Sequence, residues 1–414
     1  MIFDSPPRLC YNITVRFKKM MHIKGKGTAA IMEYKIETRC LHTDISPEAV
    51  IIHPLSEPIY QTATFVHTKI GKYGAYDYTR ESNSTRTCLE QKISSLEHAS
   101  DTLAFANGMA AITACMELFS PGDRILSGED LYGGTNRLFH TINEKNGLLF
   151  DYVDSTDLSA AEAAIKQSTR AIYVESPTNP MMRVTDIAGA AELAHRHGLL
   201  LIVDNTFLSP YFLNPLDLGA DIVIHSGTKF IGGHNDSLAG FLCVRDPALG
   251  ERLRLIATTV GSAIAPFEAW LTLRGLKTLA VRMDRQQENA IKIAKWLKTA
   301  PHVTEVLYIG LPEHPGYEIS KRQGRGFGSM ISFRTDSEAA AKRCLLHTRL
   351  ISFAESLGGV DSLITYPLTQ THTAVSEEER IHLGIADTLL RLSVGIEAAE
   401  DIIEDLRQAL EENE

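Results

Sequence analysis

Between about residues 100 and 245, short apolar runs alternate with longer stretches of helical pattern, and this alternation limits the fold more than any other feature. Several runs are β-branched and apolar throughout, as expected for strands covered by helices on both faces of a parallel sheet. Strands that alternate with helices predict a doubly wound α/β domain. The predicted strands are 102–106, 124–127, 149–153, 171–175, 199–204, 221–225 and 240–244, with helices at 108–119, 159–167 and 187–197 between them.

The rest of the chain divides into three further regions. Residues 1–32 are basic and lack the continuous apolar core of a signal peptide, which predicts a disordered or non-native extension, with an organelle transit peptide as the alternative. Residues 33–95 predict an N-terminal arm that reaches onto another subunit and contains a helix at 84–96. Residues 96–285 form the predicted large domain, and a long helical pattern over 266–297 leads from it into the C-terminal unit. Residues 286–414 predict an α+β domain, with strands near 303–308 and 329–333 and helices at 337–346 and 399–411.

Composition excludes several classes of function. The net charge of -10 argues against a dedicated nucleic-acid binder, which usually carries a basic face. No run of about 18 apolar residues is present to span a membrane. Six cysteines without a CxxC pair give neither a disulfide scaffold nor a zinc site. We therefore expect a cytoplasmic protein with reduced thiols, no metal, no nucleic-acid partner and no membrane partner.

A single lysine, Lys229, lies in a polar turn just after the predicted strand 221–225. Ligands of open α/β sheets bind beyond the carboxyl ends of the strands. A lysine that is desolvated there has a lowered pKa and becomes a nucleophilic amine that can form an imine. Ser226 and Thr228 flank it and offer hydroxyls to an anion. By itself, the motif also fits a solvated surface lysine.

Two more strand ends carry groups that complement such a lysine. Asp204 ends the predicted strand 199–204, where a buried carboxylate needs a partner. A pyridinium N–H is one such partner, and a helix cap or an ion pair is the alternative. Near residue 107 a strand runs into Gly108 and Met109 as a helix begins, and the free N–H groups of a helix start bind phosphate. A simple helix cap fits this segment equally well.

Taken in order, these motifs resemble the transsulfuration family of pyridoxal-phosphate (PLP) enzymes, which includes cystathionine γ-synthases, cystathionine γ- and β-lyases and methionine γ-lyases. The resemblance covers about residues 36–412 and is greatest to the cystathionine γ-lyases and γ-synthases. Further similar segments are YTRESNST at 78–85, EDLYGGT at 129–135, ESPTNP at 175–180, ESLGGV at 355–360 and LRLSVGIE at 390–397. The resemblance implies an aspartate-aminotransferase-type fold (fold type I), with a mostly parallel sheet in the large, PLP-binding domain and a smaller α+β C-terminal domain.

The resemblance also implies how the cofactor is held. Lys229 forms a Schiff base with PLP and later moves protons, Asp204 pairs with the pyridine nitrogen, and Tyr132 stacks on the ring and is a candidate acid or base. The implied phosphate contacts within the subunit are Gly108, Met109, Ser226 and Thr228. A homotetramer built as a dimer of dimers is implied as well, in which Tyr78 and Arg80 are donated to the phosphate across the dimer.

The implied substrate is a sulfur-containing amino acid. Its α-carboxylate would be bound by Arg391, with Ser356 nearby. Asn179 would lie beside both this carboxylate and the cofactor's phenolic oxygen. Family members that act on cystathionine at Cγ have acidic residues at the positions of Asp77 and Glu355, where they contact the distal ammonium group of the substrate. Arg137 matches a position that contacts the distal carboxylate. Each of these three charges also fits a solvated rim group.

These residues favour a carbon–sulfur lyase acting on cystathionine. Methionine γ-lyases carry a cysteine where this chain has Gly134. A cystathionine γ-synthase that joins an O-acyl-homoserine with cysteine is the alternative, and elimination at Cβ rather than Cγ also fits. A catalytically silent regulator that retains the fold is the alternative from another class of protein.

Overall fold

The computed structural model describes residues 34–41, 54–71, 74–371 and 376–411. The extension predicted for residues 1–32 lies outside these ranges. Among the helices within them, none combines the length and the apolar character that crossing a membrane requires.

Seven strands of the described chain form one large mixed sheet, in the order β1-β7-β6-β5-β4-β2-β3. They are β1 (Asp101–Phe105), β2 (Arg124–Gly128), β3 (Leu149–Val153), β4 (Thr169–Glu175), β5 (Leu200–Asp204), β6 (Ile222–Ser226) and β7 (Gly240–Val244). Strands β2 to β6 pair in parallel, whereas β7 is antiparallel to both of its neighbours. All seven lie within a residue or two of the runs predicted from the sequence.

The strands are apolar throughout because both faces of the sheet are covered. Val203 and Val223 pack into one hydrophobic core, whereas Ile202 and Ile224 pack into another on the opposite face. The helices around this sheet are α1 (Ile36–Leu41), α2 (Ser84–Glu97), α3 (Gly108–Met116), α4 (Gly133–Leu138), α5 (Leu158–Ala164), α6 (Ile187–Arg196), α7 (Ser209–Phe212) and α8 (Pro247–Val260). Shorter helical turns lie at Phe139–Asn143 and Pro215–Leu218.

The long helical pattern predicted over 266–297 is two helices, α9 (Pro266–Leu276) and α10 (Leu279–Leu297). The buried guanidinium of Arg282 explains the break. It donates to the carbonyl of Gly275 and to Oγ1 of Thr278, each at 3.0 Å, and to the carbonyl of Phe230 at 2.7 Å. Carbonyls at the end of a helix lack partners in the helix, and here an arginine supplies one.

A second sheet follows, in which five strands of the described chain run in the order β10-β11-β12-β9-β8. Its elements are β8 (Val303–Leu307), α11 (Tyr317–Gln323), β9 (Met330–Thr335), α12 (Glu338–His347), β10 (Ser352–Phe353), β11 (Leu363–Thr365), α13 (Glu377–Leu383), β12 (Leu389–Ser393) and α14 (Ala399–Glu411). The sequence predicted β8, β9, α12 and α14. The domain limits remain a prediction, and the one drawn at residue 285 falls inside α10, where Met283 packs with the large sheet and Ala290 with the second.

Candidate active site

A cavity of about 540 Å³ lies beyond the carboxyl ends of β4, β5 and β6, where residues of the second sheet and its loops also reach it. It brings together most of the residues predicted to act. The predicted residues that line it are Gly108, Met109, Tyr132, Arg137, Asn179, Asp204, Ser226, Thr228, Lys229, Glu355, Ser356 and Arg391.

Three of the predicted residues lie elsewhere in the single chain. Asp77 makes an ion pair with His67 at 2.5 Å. The guanidinium of Arg80 lies 5.6 Å from the ring centre of Tyr78 and donates to the carbonyl of Thr258. The structure does not bring Asp77, Tyr78 or Arg80 to the lining of the large cavity.

Lys229 follows β6 in a tight turn, in which its N–H donates to the carbonyl of Ser226 at 3.2 Å. Its Nζ donates to Oγ of Ser356, 2.9 Å away. Burial, and to a lesser degree the positive charge of Arg391, lowers the pKa of Lys229 to about 8. The uncharged, nucleophilic fraction of the amine near neutral pH is therefore far larger than for an ordinary lysine, although the ammonium form still predominates at pH 7.

The start of α3 forms one end of the cavity. The side chain of Asn107 accepts the N–H of Ala110 at 2.9 Å, which leaves the N–H groups of Gly108 and Met109 without partners inside the helix. Gly108 packs so closely on the end of β6 that an added Cβ would lie 3.0 Å from Cβ of Ser226. The glycine therefore allows the N-terminus of α3 and the Ser226 hydroxyl to lie next to each other at the same end of the cavity.

Asp204 lies at the end of β5 and is held by Thr206. Its Oδ1 accepts from the N–H of Thr206 at 3.0 Å and from Oγ1 of the same residue at 2.6 Å. The Thr206 hydroxyl in turn accepts the N–H of Ser226 at 2.9 Å, which ties β5 to β6. Burial raises the pKa of Asp204, and the Thr206 hydrogen bonds oppose that rise by favouring the charged carboxylate.

Arg391 is a buried arginine in the middle of β12. Its Nη1 donates to Oδ1 of Asn179 at 2.7 Å, and its Nη2 donates to the carbonyl of Ser356 at 3.1 Å and to Oγ1 of Thr365 at 3.2 Å. Nε has no hydrogen-bond partner among the described residues. Burial lowers the pKa of Arg391 to about 10, which still leaves the guanidinium charged at neutral pH. A fixed cation with a spare N–H is suited to bind a carboxylate.

Comparison with known proteins identifies the family. Residues 37–411 match the model of the Cys/Met metabolism PLP-dependent enzymes. The chain belongs to this family. The match covers nearly all of the described residues and confirms the family, the fold class and the cofactor that the sequence motifs predicted.

Individual members of the family are similar over almost their whole length. The chain is 46% identical to cystathionine gamma-lyase of Bacillus subtilis, over 86% of this chain and 94% of that one. It is 43% identical to cystathionine beta-lyase of Lactococcus lactis, over 91% and 99%. A crystal structure of cystathionine gamma synthase from Xanthomonas oryzae, in complex with aminoacrylate and cysteine, is 39% identical over 91% and 98%, with a TM-score of 0.88.

The cavity of this family member fits PLP. The helix start at Gly108, with the hydroxyls of Ser226 and Thr228, suits a phosphate. Asp204 suits a protonated ring nitrogen, because a buried carboxylate needs a partner of opposite charge. Gly134 leaves room for the neighbouring Tyr132 ring, since a Cβ at Gly134 would collide with that ring. Which of these residues contact the cofactor remains a prediction.

Further residues in or beside the cavity have polar contacts that were not predicted. Thr206 and Gln370 line the cavity, Thr365 supports Arg391, and Glu175 accepts the N–H of Tyr132 at 2.8 Å. Glu175 offered a signal in the sequence, because it ends a predicted apolar strand just as Asp204 does. The others depend on contacts between distant segments, which local pattern does not reveal.

Proposed function

We propose that this enzyme is a carbon–sulfur lyase that eliminates the sulfur leaving group at Cγ, or at Cβ, of cystathionine. The observation that carries the proposal is the set of charges in one cavity. Arg391 lies buried and Lys229 half-buried, and Arg137 and Glu355 are exposed on the same lining with no ion pair among the described residues. One cation and one anion at the rim suit the distal carboxylate and ammonium groups of cystathionine, and similarity to cystathionine enzymes supports the same substrate.

In this proposal PLP is held from three directions. Gly108, Met109, Ser226 and Thr228 bind its phosphate, Asp204 pairs with its ring nitrogen, and Lys229 binds it through Nζ. Tyr132 stacks on the ring, and stacking of this kind contributes about 1 kcal/mol. Asn179 lies between the cofactor's phenolic oxygen and the substrate.

Substrate binding is assigned to Arg391, assisted by Asn179 and Ser356. The guanidinium is held in place by three hydrogen bonds, so a carboxylate that enters the cavity meets a cation already oriented. Orientation before binding reduces the entropy lost on binding. Glu355 and Arg137 then orient the sulfur-bearing end, with Asp77 as a third charge if a neighbouring subunit brings it there.

Lys229 moves the protons. When bound, PLP supplies electron withdrawal, which stabilises the charge left at Cα after its proton is lost. Once the substrate's amino group has displaced Nζ of Lys229 from the cofactor, the free amine takes the Cα proton, and its lowered pKa of about 8 suits both accepting and returning a proton near neutral pH. A leaving group at Cβ needs no further abstraction, whereas one at Cγ requires Lys229 to pass on the first proton before it removes a second one, from Cβ. Tyr132 is a candidate to protonate the departing sulfur.

We further propose a cytoplasmic homotetramer, a dimer of dimers, in which Tyr78 and Arg80 of one subunit bind the phosphate in its neighbour. The arm that carries them exposes apolar side chains, since Leu55, Val66 and Ile70 are almost fully exposed in the single chain. Exposed apolar patches favour burial against another subunit. The cysteines of the described residues are unpaired, which suits a reducing compartment.

The test supplies cystathionine alone to the PLP-loaded protein and identifies the keto acid. Elimination at Cγ yields cysteine, ammonia and 2-oxobutyrate, whereas elimination at Cβ yields homocysteine, ammonia and pyruvate. Borohydride reduction followed by peptide mass analysis locates the cofactor, which we expect on Lys229. Turnover of methionine without turnover of cystathionine would contradict the proposed roles of Glu355 and Arg137.

A cystathionine γ-synthase is the second candidate, because the similar Xanthomonas oryzae structure is a synthase. A synthase needs the same α-carboxylate site and the same lysine, so the cavity accommodates both reactions. An O-acyl-homoserine supplied with cysteine tests it. Cystathionine formation that is much faster than cystathionine breakdown would favour the synthase over the lyase.

A further inference from the structure

Glu175 is a buried acid directly beside Asp204. Glu175 ends β4 and Asp204 ends β5, and their Cα atoms are partners in the parallel register of the two strands. Both side chains line the active-site cavity, and Glu175 is only 6% exposed. The roles proposed for the other cavity residues leave Glu175 without a function, although a buried acid is costly to keep.

Glu175 contacts the main chain of the ring-stacking residue. Its Oε1 accepts the N–H of Tyr132 at 2.8 Å, at the residue that immediately precedes α4. Two residues later, Gly134 leaves space for the Tyr132 ring. The hydrogen bond from Glu175 holds the backbone of Tyr132 in place. The absence of a Cβ at Gly134 leaves the space that the Tyr132 ring occupies.

Two neighbouring buried carboxyl groups do not both ionise readily. Burial, followed by the charge of Asp204, raises the pKa of Glu175 well above its usual value. The titratable groups that face Glu175 are Asp204, Asp130 and Tyr173, and none of these three is a cation that would favour its charged form. Asp204 accepts two hydrogen bonds from Thr206, whereas Glu175 accepts one, so the negative charge belongs on Asp204.

We propose that Glu175 is a positioning residue for the cofactor site: as a neutral acid it anchors the main chain at Tyr132 and leaves the buried negative charge to Asp204. The inference rests on the roles proposed above for Tyr132 and Asp204. It assigns Glu175 no contact with the substrate or with the reacting atoms. Its effect appears first in how tightly and in which orientation the cofactor is bound.

Two substitutions of similar volume separate the two parts of the proposal. Glu175→Gln keeps an oxygen that accepts the Tyr132 N–H but carries no charge at any pH. Glu175→Met keeps the length of the side chain and removes the acceptor. Glu192→Gln, at an exposed acid on α6, is the matched control. The measurements are the Kd of the apoenzyme for PLP from pH 6 to 9 and the visible circular dichroism of the bound cofactor, which reports the asymmetry around its ring.

We expect the Gln variant to bind PLP within about threefold of wild type at every pH, with unchanged circular dichroism, because a neutral acid and an amide are alike here. The Met variant should bind about tenfold more weakly with a reduced dichroic band, since losing one buried hydrogen bond costs about a factor of ten. Weak binding by the Gln variant, or a changed pH profile, would overturn the neutral-acid role even if the Met variant failed to fold. A Met variant that binds PLP like wild type would overturn the anchoring role.

The wild-type protein separates this inference from the proposed function. Wild-type apoenzyme that binds no PLP would contradict the proposed cofactor site as a whole. Wild-type apoenzyme that binds PLP, together with Gln and Met variants that bind it equally well, would contradict the role of Glu175 alone.

Discussion

At the scale of single residues, the lowered pKa of Lys229 predicts how its reactivity depends on pH. Burial disfavours the charged ammonium, so the amine loses its proton at about pH 8 rather than near the ordinary value of 10.5. Labelling of Lys229 in the apoenzyme by an amine-directed reagent should therefore rise with pH and level off above about pH 9. Peptide mass analysis after timed labelling measures it, with free N-acetyl-lysine as the reference. A rate that still climbs steeply beyond pH 10 would contradict the burial argument.

Arg391 leads to a prediction that separates substrate binding from cofactor binding. Arg391→Lys keeps the charge but loses the planar fork that donates to Asn179, Ser356 and Thr365. We expect KM for cystathionine to rise at least about thirtyfold, because breaking a buried charge pair costs about 2 kcal/mol or more. The Kd for PLP should stay within about threefold, since the proposal assigns Arg391 to the substrate. An unchanged KM, or a loss confined to PLP binding, would be evidence against the assignment.

Residue chemistry explains which parts of the site the sequence could predict. Lys229, Asp204 and Gly108 each lie at or just beyond the end of a predicted strand, and parallel strands end at one edge of a sheet, so their proximity could be predicted. The role of Thr206 could not be predicted. Its hydroxyl connects Asp204 to the N–H of Ser226, and this contact can be recognised only when β5 and β6 are known to be neighbours.

At the scale of secondary-structure elements, the close contact between α3 and β6 predicts the effect of one added methyl group. Gly108→Ala places a Cβ 3.0 Å from Cβ of Ser226, so the helix start must shift. Overpacking of this kind costs about 1–3 kcal/mol, and we expect PLP to bind about tenfold more weakly. Pyridoxal, which lacks the phosphate, should bind with little change. Gly74→Ala is the control, because there the Cβ meets nothing closer than 3.6 Å. An equal loss for pyridoxal would show that the shift is not confined to the phosphate end.

The same scale shows where pattern reading fails. The strands of the large sheet were predicted because burial on both faces makes them apolar throughout. Strand β12 reads Leu-Leu-Arg-Leu-Ser and was not predicted as a strand, although all five residues are buried. An arginine in the middle of a buried strand contradicts its local pattern. It is tolerated because Asn179, Ser356 and Thr365 supply acceptors from distant parts of the chain.

At the scale of the whole molecule, one helix joins the two sheets. The N-terminal half of α10 packs on the core of the large sheet, through Met283, and the C-terminal half packs on the core of the second sheet, through Ile293. Gln286 and Asn289, between them, donate to the carbonyls of Gly359 at 2.7 Å and Gly395 at 3.1 Å. These bonds hold the loops that follow Glu355 and Arg391 against α10. One helix therefore contacts both cores and the loops that carry residues on two sides of the cavity.

The proposed dimer can be tested by subunit exchange, because its active site needs residues from two subunits. Arg80 lies away from the cavity of its own chain, so a site that needs it must receive it from a neighbour. Arg80→Ala and Lys229→Ala variants should each be nearly inactive alone. After mixing under conditions that exchange subunits, activity should return to about a quarter of wild type, because half of the dimers are hybrids and each hybrid has one intact site. The measurement is cystathionine turnover before and after mixing, with Lys229→Ala exchanged against itself as the control. Mixtures that stay inactive while mass analysis detects hybrids would mean that each subunit builds its phosphate site alone.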